Sequence, residues 1–71
     1  MANIGDRIIM GKSNGKFDIF KINESGEREC VRTDIAPLHQ AWEIARGSLT
    51  GNQIWVCDET TPDVLEPHSP K

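Results

Sequence analysis

Seventy-one residues carrying a net charge of −3 amount to one small domain, which removes only roughly 60% of its unfolded surface from water on folding. No stretch approaches the roughly 18 apolar residues of a membrane span, and the first residues lack the basic leader and long apolar region of a secretory signal. Two cysteines, Cys30 and Cys57, are too few for a disulfide framework, so two reduced thiols in a cytoplasmic protein are expected.

The apolar stock of eight Ile, three Val, three Leu, two Phe and two Trp can form one core with little to spare, since each buried large side chain contributes roughly 1.5–3 kcal/mol. A second apolar surface, from another protein or a second copy, would help a scaffold of this size. Charge is uneven. Residues 1–32 sum to +1 and residues 33–71 to −4. The basic excess that phosphate binding requires is missing overall, which disfavours nucleic acid as a partner.

In chain order, the run "RIIMGKSNGKFDIFKI" predicts a β-hairpin turning at Asn14-Gly15, because a two-residue type I′ turn needs φ > 0 at both central positions. That turn sets Ser13 opposite Lys16, Met10 opposite Ile19 and Ile8 opposite Lys21. Ile8, Met10, Phe17 and Ile19 then share one face, and Ile9, Phe20 and Ile22 the other. Neither face is polar, so the hairpin is either covered on both sides or carries a bulge that switches phase. After the turn cluster "NESGE", residues 28–33 predict a charged edge strand with Cys30 and Val31 on opposite faces.

A helix follows, with Thr33 or Asp34 as cap and Pro37 in its first turn. Ile35, Leu38, Trp42, Ala45 and Leu49 recur at three- and four-residue spacing and form the expected core stripe. His39, Glu43 and Arg46 line one flank. With Leu49 in phase, the helix is expected to pass through Gly47 and end near Gly51. "NQIWVCD" predicts a final strand, apolar on both faces and therefore interior. After Asp58 the pattern fails, and Pro62 and Pro67 cannot donate to a ladder. Residues 59–71 are expected to be a Pro-rich acidic tail, partly packed, with room for a short strand at Val64-Leu65.

The predicted fold is therefore α+β (β-β-β-α-β). A three-stranded antiparallel meander carries one packed helix, and a fourth strand after the helix runs parallel beside the first. The body is residues 1–58.

Candidate chemistry is sparse. Structural zinc wants four ligands with close Cys or His pairs, whereas Cys57 stands alone and His68 lies eleven residues on; no metal or cofactor is expected. Cys30 with His39 has no third group and no helix start to lower the thiol pKa, so no enzyme is expected. "GKSNGK" lacks the spacing of a phosphate loop and lies between strands. Two non-catalytic readings remain. The first is a protein-interaction or accessory module, homodimeric or with another protein, using a sheet edge or the outer sheet face. Its candidate contacts are Trp55, His39 and Arg46, where Trp55 is either an interface anchor or packed beneath Val64 and Leu65. The second is nucleic-acid binding through the hairpin face by Arg7, Lys12, Lys16, Lys21, Arg28 and Arg32.

The order hairpin, charged strand, "AWEIARGSL" helix and "GNQIWVCD" strand resembles small uncharacterised bacterial strand-strand-helix-strand domains over roughly residues 7–58. The resemblance implies an α+β domain without an established activity, and brings no functional residue with it.

Overall fold

The computed structural model describes residues 2–47 and 52–67. Strands β1 (Arg7–Gly11), β2 (Phe17–Ile22) and β3 (Arg28–Ile35) precede helix α1 (Leu38–Arg46), and β4 (Ile54–Asp58) and β5 (Thr61–Pro67) follow it. The strands form one sheet in the order β3-β2-β1-β4-β5. The α+β class and the antiparallel meander are as the sequence implies. So is the strand after the helix, which lies parallel to β1 with Arg7 matched to Ile54 and Gly11 to Asp58.

The hairpin register differs from expectation by one residue. Arg7 faces Lys21, Ile9 faces Ile19 and Gly11 faces Phe17. The cause lies in the turn. The Gly15 N–H donates to the Lys12 carbonyl at 3.0 Å and the Lys12 N–H to the Lys16 carbonyl at 2.9 Å, so the connection spans Ser13, Asn14 and Gly15. Only Gly15 has positive φ, at 83°. This is a type I turn closed by a left-handed glycine, which adds one residue to the loop and shifts every cross-strand partner. The β2–β3 turn repeats it. Gly26 has φ 82° and donates to the Asn23 carbonyl at 2.9 Å, while Asn23 donates to the Glu27 carbonyl at 2.8 Å.

With that register, Ile9, Ile19 and Ile54 come together with Ala41 and Ala45 as the buried core under α1. Phe17, Ile35, Trp42, Ile44 and Val56 pack at its margin. Of the expected stripe, Ala45 lies in the core and Ile35 and Trp42 pack beside it, but the helix is turned so that Leu38 faces outward. Its alanines face the sheet, Trp42 is half-buried, and Leu38 is 37% exposed. Three isoleucines fill the depth between helix and sheet, so only small side chains fit at the centre of the helix face.

Both helix ends also differ. Thr33 and Asp34 do not cap α1, because β3 continues to Ile35, which pairs with Phe17. Asp34 sits in the left-handed region at φ 55° and Ala36-Pro37 is cis. Pro37 occupies the N-cap position, and the Gly47 N–H closes the C-terminus on the Glu43 carbonyl. The expected extension towards Gly51, with Leu49, lies outside the described residues.

The largest correction is at the C-terminal end. Residues 61–67 form a fifth strand instead of a tail, pairing antiparallel with β4 through Asp58–Thr61, Val56–Glu66 and Trp55–Pro67. Pro62 and Pro67 are admissible there because an edge strand has one side free of ladder bonds.

Candidate interaction surface

Alternation fixes what the helix-free face carries. Ile8, Met10, Phe20, Ile22, Trp55 and Cys57 project from the side opposite the Ile9–Ile19–Ile54 core. Ile8 is nevertheless 0% exposed, although no helix among the described residues covers it. The reason is curvature. Arg28 on edge strand β3 donates to the carbonyl of Pro62 on the opposite edge strand β5, at 2.7 Å. Flat, five strands would set those edges roughly 19 Å apart at about 4.8 Å per step, beyond the reach of an arginine. The sheet is therefore curled, and its helix-free face is a concave inner wall with β3 and β5 approaching each other at its mouth.

The N-terminal rim of this wall is held by Asp6, which is 1% exposed. Oδ2 accepts from the Asn3 N–H at 2.8 Å and from Trp55 Nε1 at 2.9 Å; Oδ1 accepts from the Gln53 N–H at 3.0 Å and from Asn52 Nδ2 at 3.3 Å. Burial pushes this carboxyl up, but the hydrogen bonds from Asn3, Trp55, Gln53 and Asn52 outweigh it and hold the group below its ordinary value. Four N–H donors reach its two oxygens, so only an ionised carboxylate satisfies them all. Trp55 is accordingly half-buried, with its indole committed to Asp6. Val64 does not bury itself against the sheet, being 59% exposed. Asp6 carried no motif or spacing in the sequence that could have singled it out.

At the mouth lies a groove of about 410 Å³ lined by Ala2, Asn3, Ile4, Ile8, Ile22, Gly26, Arg28 and Leu65. Ile4 stands at its rim, 57% exposed. A second groove, about 530 Å³, runs past the β2–β3 turn among Ile4, Lys21, Ile22, Glu24 and Glu29.

The expected contact residues do not share a surface. Trp55 is on the concave face, while His39 and Arg46 are exposed on α1, across the sheet. Arg46 stacks over Trp42 with its guanidinium carbon 5.0 Å from the ring centroid and lies 4.0 Å from Glu43. The six cations of the nucleic-acid reading are also dispersed. Arg7 and Lys21 face each other at the end of the hairpin away from its turn. Lys12 is held by Asp18 at 3.0 Å and Asp34 at 2.5 Å, which raises the pKa of Lys12 and lowers that of Asp34. Arg28 is turned onto the concave face, Lys16 is at the turn, and Arg32 is exposed on the edge strand.

Both cysteines are free thiols. With β2 and β1 lying between β3 and β4, Cys30 and Cys57 are not on neighbouring strands. Burial pushes the Cys57 thiol up, and Arg28 beside it offsets this only in part, the opposite of what an activated nucleophile needs. Among the described residues no three His, Cys, Asp or Glu side chains converge; His68 lies outside them. No helix among the described residues is long and apolar enough to cross a membrane. Neither a scan of family models nor searches of curated proteins and of solved structures find a match to this chain.

Proposed function

We propose that this protein is a small, non-catalytic cytoplasmic interaction module, which receives its partner at the mouth of the concave sheet face. One observation carries the reading: an apolar groove opens where no helix covers the sheet, with Ile4 standing 57% exposed at its edge. A large aliphatic side chain beside an apolar groove is better accommodated against a partner than in water.

The two sheet edges favour the same conclusion. β3 is interrupted by two register shifts and carries Arg28, Glu29, Arg32 and Asp34. β5 carries Pro62 and Pro67, Asp63 and Glu66, and one register shift. Charges, bulges and prolines all discourage strand addition, so the partner is expected at the groove and not along an edge.

Sedimentation velocity from micromolar to millimolar concentration tests whether the partner is a second copy. Mass rising with concentration, and falling back in Ile4→Asp, supports that version. A strict monomer throughout removes it. Selection from a random peptide library tests the other version, and a failure to recover any peptide that competes at Ile4 and Leu65 removes it.

A further inference from the structure

Arg28 is half-buried, and none of its nitrogens is at once shut off from solvent and without a partner, so the donors it does not use within the protein face water that a charged acceptor can replace. It donates to the Pro62 carbonyl and lies beside the Cys57 thiol. A guanidinium has five N–H donors, so these two neighbours leave most of its capacity unused. The ion pairs among the described residues join Lys12 to Asp18 and Asp34, and Arg46 to Glu43; none involves Arg28. Yet Arg28 is the one charged side chain among the described residues lining the groove at the mouth, whose walls are Ile4, Ile8, Ile22 and Leu65.

We infer that this groove seats a short apolar segment of a partner protein that bears one carboxylate. The aliphatic side chains lie against Ile4 and Leu65 at the lip of the groove, above the buried Ile8 and Ile22 that floor it. The carboxylate takes charge-assisted N–H donors from Arg28, in the paired geometry to which a guanidinium is suited. The inference rests on the reading of the groove as the docking surface and adds the chemistry of what docks. The neighbouring groove, where Lys21 stands with Glu24 and Glu29, offers no such match of one cation to an apolar wall. A protein segment fits better than a free fatty acid. The groove is open to solvent at Ile4, whereas small ligands depend on enclosure for their affinity; a partner protein adds contact area outside the groove.

The probes are acetyl-Ile-Leu-Glu-amide and its Gln counterpart, titrated into the isotope-labelled full chain and followed by amide and arginine Nε correlation spectra. The Glu peptide is expected to shift Ile8, Ile22, Leu65 and Arg28. The Gln peptide is expected to bind at least about tenfold more weakly, since charge-assisted bonds are roughly twice as strong as neutral ones. Added salt should weaken the Glu peptide alone. Arg28→Gln should bring the Glu peptide down to the affinity of the Gln peptide. Because the peptide exchange leaves the protein untouched, the answer does not depend on how well that variant folds. Equal binding of both peptides would overturn the carboxylate inference while leaving the groove as a docking site. Absence of shifts at the groove with either peptide would overturn it as well. Decanoate moving the same resonances while neither peptide does would also overturn it, and would assign the groove to a lipid acid.

Discussion

Asp6→Asn is the sharpest probe of the fold, because it changes one atom of a carboxylate that is 1% exposed. The native group accepts two N–H donors on each oxygen. An amide in either orientation points its own N–H donors at two of them. Two hydrogen bonds to a charged acceptor are thus replaced by donor–donor contacts, at about 1.5–3 kcal/mol each, and local relaxation recovers part of that loss. A net destabilisation of about 3 kcal/mol is expected, which lowers Tm by about 12–24 °C in a domain of this size. Circular-dichroism melts at pH 7 read the shift, and the Trp55 indole N–H resonance should move with it. The pH dependence supplies an independent check. The folded-state pKa of Asp6 is depressed, so its stabilisation is fully present above the unfolded value of about 3.9 and is lost as pH falls through the folded value. The gap between wild type and Asp6→Asn should therefore narrow on acidification. A Tm within about 3 °C of wild type at pH 7, or a gap that stays constant down to acid, would refute the account.

Gly15→Ala and Gly26→Ala should each destabilise by about 1–2 kcal/mol, equally at both turns, because both residues hold left-handed φ and an added Cβ meets nothing within 4 Å at either. Denaturant titration checks this, and Gly15→Asn should recover part of the loss. Ala41→Leu should cost about 1–3 kcal/mol by overfilling the contact with Ile9, Ile19 and Ile54, read from the urea midpoint at unchanged m-value. With a limiting thiol reagent at pH 8, mass spectrometry of the peptides should show exposed Cys30 labelled before Cys57, whose thiol is partly covered and shifted up; the reverse order would contradict the placement of β4. Asp34→Asn should lower Tm slightly at neutral pH and the difference should shrink in high salt, since Asp34 gives up an exposed ion pair with Lys12.

What could be read from the sequence was the succession of elements as far as β4, because turn residues and three- or four-residue spacing report on local structure; the parallel seat of β4 rested only on the helix reversing the chain. What could not be read depended on atoms far apart in the chain. The Asn14-Gly15 dipeptide signals a turn, but the Lys12 and Lys16 bonds that lengthen it by one residue exchange Phe17 and Ile19 with Phe20 and Ile22 between faces. The three- and four-residue spacing sets Leu38 and Ala45 on one stripe, and Ala45 does lie in the core, but the three isoleucines beneath the helix leave room beside it for Ala41 and not for Leu38. Pro62 and Pro67 argue against a strand in residues 61–67, and only the edge position of that segment admits them. In the sequence Arg28 is one of six dispersed cations, and only the curl of the sheet brings it over Ile8 and Ile22. Asp6 was silent because its four donors come from Asn3, Asn52, Gln53 and Trp55, at both ends of the chain.

The central strand has neighbours of very different provenance. β1 meets β2 through a three-residue loop, but its other flank waits for β4, with Arg7 matched to Ile54. On the ribosome, the hairpin can therefore zip as soon as it emerges, leaving the Arg7–Gly11 backbone as a bare seam until most of the polypeptide has been made. A nascent chain stalled before Ile54 would offer that seam, flanked by Ile8 and Ile9, to any other strand nearby, so premature termination in this stretch should yield aggregates and not a shortened soluble domain.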